Sequence, residues 1–437
     1  MLRSRPNLFI ALSFLLVIII GAILLTLPIS SSSGQPTNFL DAYFTANSAT
    51  CVTGLVVLDT GVHFSFFGLL VILALMQVGG LGYMTISTFL LLIFRKKMFV
   101  SEKLMMMEAL NLYSARDVFH VLRRIFAIVF TIEGIGALIL FIRFLPEMGF
   151  QQAFFWGIFH SVSAFNNAGF ALPANHANLT PYVTDWVINL TITTLIIIGG
   201  IGFMVITDFL RFKRWSLHSK VVILTTLVLI IGGTLAFFAL EYNNPTTLAN
   251  LSLPHKFLAS YFQAVTPRTA GFNTVSLGHL APATALLMMF LMFIGASPGG
   301  TGGGIKTSTW TLIVSTIWAT LRNSKNTILF NRRIPPETVR RAFTIMFLSM
   351  ALISGAIFIL NYVEPFNLTQ LAFETFSAFG TVGLSMGITP SLSHVGKIVI
   401  IIVMFIGRVG ALSLLLALVR EQKEPVVKPP KEGISIG

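Results

Sequence analysis

Long apolar runs separated by short polar ones dominate the chain. Residues 8 to 28 are nearly uninterrupted hydrophobic sequence after Arg3 and Arg5, enough to cross a hydrocarbon core of about 30 Å as a helix. A cleaved signal peptide would have an apolar region of about 7 to 15 residues and a small-residue cleavage site. This run is longer and ends in Leu27-Pro28-Ile29, so it reads as the first membrane helix. Further runs at about 66 to 93, 119 to 145, 185 to 210, 218 to 241, 282 to 318, 341 to 363 and 396 to 419 predict eight spans in all. Between the members of each successive pair lies a shorter apolar stretch, at about 39 to 50, 151 to 164, 255 to 265 and 368 to 379. Such lengths suit re-entrant helices better than spans.

The short stretches run into segments that align without gaps: Ser48-Ala-Thr-Cys-Val-Thr-Gly54-Leu, Ser163-Ala-Phe-Asn-Asn-Ala-Gly169-Phe, Val265-Thr-Pro-Arg-Thr-Ala-Gly271-Phe and Ser377-Ala-Phe-Gly-Thr-Val-Gly383-Leu. The shared glycines are 115, 102 and 112 residues apart. Each is followed 24 to 30 residues later by a second shared element, beginning at Gly79, Gly199, Gly295 and Gly407. Two marks in the same order, four times over, make an internal repeat. The repeats divide the chain at 1–100, 101–215, 216–325 and 326–437, the last including a cytoplasmic tail. An even number of crossings per repeat makes all four enter from one side, around an axis along the membrane normal; inverted repeats need an odd number. The predicted fold is an all-α polytopic membrane protein: four parallel helix, pore-loop, helix repeats around a pseudo-fourfold central pore.

Composition agrees. Only 10% of residues are charged, against roughly 25% for a soluble domain, and Cys51, the single cysteine, excludes an intramolecular disulfide framework. The net charge of +13 raises nucleic acid as a partner, but its placement argues against one. Basic residues cluster just beyond apolar runs, at Arg95 to Lys103, Arg211 to Lys220, Arg322 to Arg341 and Arg420 to Lys431, as in cytoplasmic loops obeying the positive-inside rule. Both termini are then cytoplasmic. Opposite segments carry Asp41, Asp59, Glu147, Asp185, Glu241, Glu364 and Glu374 against Arg143, Lys256 and Lys397, an acidic outer face suited to attracting cations.

A glycine loop at membrane depth can present backbone carbonyls that replace the hydration shell of potassium. Thr381, Val382 and Gly383 match the first half of a TVGYG potassium filter. Their equivalents are Val52, Thr53 and Gly54; Asn167, Ala168 and Gly169; and Thr269, Ala270 and Gly271. The alternative is that these glycines only let helices pack closely.

The four-fold plan and these motifs, with Phe405-Ile-Gly-Arg408 and the Gly295 to Thr307 segment, resemble the Trk/Ktr/HKT superfamily of potassium transporters, most closely the membrane subunit of bacterial Ktr systems, over nearly the whole chain. The resemblance implies that the four triplets are the filter. Glycine at all four filter positions, in place of a serine in the first, is the version linked to stronger potassium selectivity. It further implies a homodimer with one pore per protomer, a cytosolic nucleotide-binding regulatory ring as partner, a bacterial plasma membrane location, and sodium as a candidate activator.

The third repeat inserts Gly295, Ala296, Ser297, Pro298, Gly299, Gly300, Thr301, Gly302, Gly303, Gly304, Ile305 and Lys306 where its siblings are expected to continue as helix. A phosphate-binding loop would need lysine directly after Gly304, and Ile305 intervenes. Glycines and a proline instead break the helix. The resemblance implies an intramembrane gate; the bland reading is a kink. Arg408, inside an apolar run, is a functional hypothesis by default. The resemblance places it beneath the filter as a barrier, and a structural salt bridge or carbonyl cap is the alternative. Arg268 is expected to pair structurally. Asp41 and Glu374 are expected to pair or to attract cations, Lys306 to bind a loop carbonyl or a partner, and Met105 to Met107 to contact lipid or core. No metal-ligand spacing among the histidines and no nucleophile with its base point to an enzyme or a covalent cofactor. The expected function is passive potassium translocation for uptake. A cation-coupled secondary transporter is the alternative, for which Glu133 and Asp208 are the only clear carboxylates within spans.

Overall fold

The computed structural model describes residues 6–82, 118–210 and 215–412. Expectations for Arg3 and Arg5, for Arg95 to Lys103, for Met105 to Met107, for Arg211 to Arg214, and for the tail beyond residue 412 lie outside them.

The first unit comprises α1 (Pro6–Thr26), α2 (Phe39–Thr50) and α3 (Phe66–Leu81). The second comprises α4 (Val118–Met148), α5 (Phe150–Phe165), α6 (Trp186–Gly200) and α7 (Phe203–Leu210), and the third α8 (Leu217–Glu241), α9 (Leu253–Val265), α10 (Pro282–Phe293) and α11 (Thr307–Leu321). A short hairpin, β1 (Ile328–Leu329) with β2 (Arg332–Arg333), leads to the fourth: α12 (Pro336–Val363), α13 (Leu368–Gly380) and α14 (His394–Val409). Helices start where polar side chains can satisfy the free N–H groups of a first turn. Asn38, Ser65, Asp185, Ser216, Asn367 and Ser393 all accept such bonds.

Segments Arg123–Met148 of α4, Leu217–Glu241 and Pro336–Val363 are each long and apolar enough to cross a membrane unaided. The second helix of each unit is different. The expectation that only the third repeat interrupts this helix is incorrect. The chain bends by 101° between α6 and α7, and Gly82, Gly202 and Gly410 all take positive φ at the ends of α3, α6 and α14, a conformation that terminates helices. The second shared element is therefore where the described helix ends in these units, and in the second unit it is a sharp bend. It also seats each helix against its own unit: a Cβ on Gly79, Gly199 or Gly407 would run into the carbonyl oxygen of Thr50, Phe165 or Phe379 at the end of the neighbouring short helix.

The units close into a ring. Each second helix packs on the short helix of the following unit: α3 on α5, α6 on α9, α10 on α13, and α14 back on α2. At that last junction Asn47 Nδ2 donates to the carbonyl of Ile401 at 3.2 Å, and Lys397 pairs with Asp41 at 2.7 Å. Asp41 is thus a structural partner.

Most carboxylates of the expected outer face also strap helices together. Arg143 bridges Asp185 at 2.5 Å and Glu147 at 2.6 Å. Burial and the neighbouring Glu147 push the Tyr182 phenol up to about 12, so it stays a donor to Glu147. Glu241 accepts from the Ala281 N–H at the start of α10, and Glu364 from the N–H and hydroxyl of Ser393 at the start of α14.

Candidate functional site

Each short helix runs at its C-terminal end into one of the four glycine loops, and a serine or threonine in its last turns or at its end holds the loop back on itself. Ser48 Oγ accepts from Gly54 N–H at 3.1 Å and Ser377 Oγ from Gly383 N–H at 3.0 Å. Ser163 donates to the Phe170 carbonyl at 2.8 Å. The third loop has Val265 in the serine position, and Thr266 takes over with a 2.5 Å bond to the Phe272 carbonyl. The loops share one backbone path, with φ of 50°, 57°, 68° and 49° at Val52, Asn167, Thr269 and Thr381, and 92°, 73°, 75° and 89° at Gly54, Gly169, Gly271 and Gly383.

The glycines meet at the centre. A Cβ on Gly54 would stand 2.6 Å from the carbonyl oxygen of Ala168, one on Gly169 2.9 Å from that of Ala270, and one on Gly271 2.6 Å from that of Val382. One on Gly383 would strike the carbonyl oxygen of Thr53, which completes the circuit. The middle residues Thr53, Ala168, Ala270 and Val382 are fully buried. The structure therefore brings the four glycines and the carbonyls of Thr53, Ala168, Ala270 and Val382 into one ring, with Val52, Asn167, Thr269 and Thr381 immediately preceding it in each loop. Four helix C-termini feed it, and their partial negative charge favours a cation there.

On one side of the ring lies an open cavity of about 480 Å³ whose wall includes Gly54, Gly169, Gly383, Asp59, His176 and His279. Asp59 is the carboxylate on this wall, and it accepts the His176 N–H at 3.1 Å. Glu374 stands behind the fourth loop, bonded by the Ser385 hydroxyl, by Thr389 at 3.0 Å and by the Met386 N–H at 3.2 Å. It is an anchor for that loop.

On the other side is the segment from Gly295 to Lys306. Its ends are pinched together by a 2.8 Å bond from Gly295 N–H to the Ile305 carbonyl. Ser297 and Thr301 donate backbone N–H groups to the carbonyls of Gly200 and Gly199, and Gly299 accepts from Phe203, so Ala296 to Thr301 line the break in the second unit. Gly304 donates to the Gly407 carbonyl. Gly300 leaves no room for a side chain against the Gly200 carbonyl, nor Gly302 against Thr269 Oγ1. Lys306 Nζ turns back onto the Gly302 carbonyl at 2.7 Å, one of its two expected fates. Arg408 donates to the carbonyls of Thr301 and of Gly79, so it caps carbonyls as the alternative reading anticipated, while its charge sits beside the loop.

Arg268 does not pair. Its side chain is buried, and its guanidinium nitrogens have no hydrogen-bond partner among the described residues. Glu133, singled out in the sequence as a carboxylate within a span, lies buried beside the second loop, where it accepts from Gln77 at 3.2 Å and from Asn166 at 2.8 Å, two partners that sequence reasoning missed. A glutamine and a glutamate within two apolar runs were the available signal.

Residues 4–426 match the family model described as TrkH, cation transport protein. Ktr system potassium uptake protein B of Bacillus subtilis is 44% identical over 433 residues, covering 98% of this chain and 96% of that protein. Its Vibrio alginolyticus namesake is 40% identical, with 98% and 94% covered. Potassium/sodium uptake protein NtpJ of Enterococcus hirae is 39% identical, with 100% and 98% covered. The crystal structure of the potassium transporter TrkH from Vibrio parahaemolyticus shares the fold, with a TM-score of 0.73 at 18% identity over 93% of this chain and 84% of that one.

Proposed function

Since the chain belongs to the TrkH family of cation transport proteins, we propose that it is the potassium-selective translocation subunit of a bacterial potassium uptake system and works as a passive, channel-like pore. The observation that carries this reading is the closed circuit in which the glycine of each loop abuts the central carbonyl of the next. Carbonyls so placed exchange for the water around a potassium ion. The ion enters by the cavity bearing Asp59, crosses the ring at residues 52–54, 167–169, 269–271 and 381–383, and meets the Gly295 to Lys306 loop. That loop is the gate, and Arg408 is its latch and a charge barrier. A negative-inside potential drives the flow; no covalent chemistry is involved.

The names of the Ktr relatives support a multi-component assembly. The proposed partners are a second copy of this chain and a cytosolic nucleotide-binding regulatory ring, in the plasma membrane with both termini cytoplasmic. Potassium is the cargo and sodium the activator; the name of the Enterococcus relative pairs the same two ions, both as ions taken up. The test is rubidium uptake into proteoliposomes with sodium as competitor. Rubidium accumulation that excess sodium leaves largely intact is expected; equal uptake of the two ions removes the filter reading.

A further inference from the structure

We propose that the Gly295 to Lys306 loop and the filter form one hydrogen-bonded unit, so that displacing the loop alters ion discrimination as well as flux. Asn167, Thr269 and Thr381 are the positioning residues that couple them. The inference rests on the filter and gate reading above.

The first position of each triplet has left-handed φ although none is glycine. For β-branched Thr269, Thr381 and Val52 this is a strained state, and such states persist only where the surroundings over-determine them. At three of the four positions the loop supplies part of that constraint. Gly303 donates its N–H to Thr381 Oγ1 at 2.9 Å. Thr301 Oγ1 lies 3.2 Å from both Asn167 Oδ1 and the Phe165 carbonyl. Asn167 passes the constraint on, its Nδ2 reaching Thr269 Oγ1 at 3.2 Å and the Arg268 carbonyl at 3.0 Å. Gly302 fits against the same Thr269 hydroxyl. Every one of these side chains is fully buried.

Asn167 and Thr381 immediately precede Ala168 and Val382, whose carbonyls belong to the ring. Rotation of the backbone at either residue reorients the adjoining peptide. Loss of the loop therefore releases strained residues next to the ring in three loops, while the first loop, with apolar Val52, lacks this connection. An independent gate needs no such bonds, since blocking a pore requires only bulk.

The experiment measures rubidium flux and the rubidium-to-sodium flux ratio of the full-length protein in proteoliposomes. Arg408→Ala frees the loop from a point that touches no triplet residue, and Thr381→Val removes one acceptor while keeping side-chain shape. Each is expected to raise flux and to lower the ratio roughly fivefold, the effect of one hydrogen bond. The double variant should lower the ratio no further than the stronger single one, because both break the same connection. Arg408→Ala with higher flux and an unchanged ratio overturns the coupling, as does additivity in the double variant. The Arg408→Ala ratio decides the matter even where Thr381→Val fails to fold. Absence of rubidium preference in the parent protein is a separate result, which defeats the filter reading itself.

Discussion

Arg408, in the last turn of α14, donates a hydrogen bond to the carbonyl oxygen of Thr301 in the middle of the loop that follows α10. A second bond runs to Gly79 at the end of α3, so one guanidinium joins three units at the level where their helices break. Both acceptors are neutral carbonyls, so neither cancels the positive charge of the guanidinium.

Replacing Arg408 with glutamine should loosen the loop and remove the barrier together. Hydrogen bonds to charged groups contribute about 1.5–3 kcal/mol, so rubidium flux should rise about tenfold or more at equal protein density. Unchanged flux in a normally folded variant removes Arg408 from the gate.

A paired glycine substitution isolates the ring from backbone strain. Gly383 and Gly387 have nearly equal φ, 89° and 91°, but a Cβ at Gly387 meets nothing within 4 Å, whereas one at Gly383 strikes the Thr53 carbonyl. Gly387→Ala should cost stability on the order of 1–2 kcal/mol, the penalty of a Cβ at positive φ, and leave rubidium-to-sodium selectivity intact. Gly383→Ala should abolish selectivity. Equal effects would mean that the ring geometry is not what selects.

The short helices and the four glycines were legible in the sequence because an apolar stretch too short to span, ending in the same glycine four times, fits little besides a set of re-entrant loops. Helices predicted at 151 to 164 and 255 to 265 run from 150 to 165 and from 253 to 265. The breaks at Gly82, Gly202 and Gly410 were hidden, since glycine is frequent in membrane helices and only the third repeat adds a proline. The roles of the acids were hidden for a different reason. Glu241 and Glu364 bond to helix starts about 30 to 40 residues further along the chain, a spacing set by the packing of whole helices.

Arg268 offers a counter-intuitive test. Its buried guanidinium lacks a hydrogen-bond partner among the described residues, and a buried charge without a partner carries an uncompensated desolvation cost that an apolar side chain removes. Arg268→Met should leave the melting temperature of the detergent-solubilised protein unchanged or raised. A marked drop would reveal an acceptor.

The pair that closes the ring, Lys397 with Asp41, has side chains only 15% and 20% exposed. In a double-mutant cycle with Lys397→Met and Asp41→Asn, thermal denaturation should give a coupling of roughly 1–3 kcal/mol. Additive effects would show that the junction holds through α14 and α2 packing alone.

Passive, selective permeation is tested most directly by the reversal potential of the current through a planar bilayer containing the protein, under a potassium gradient with sodium and pH equal on both sides. Reversal is expected close to the potassium equilibrium potential, unmoved when a sodium or proton gradient is then imposed at constant potassium. A reversal potential that shifts with either gradient in proportion to a fixed stoichiometry would contradict passive permeation and establish coupled transport.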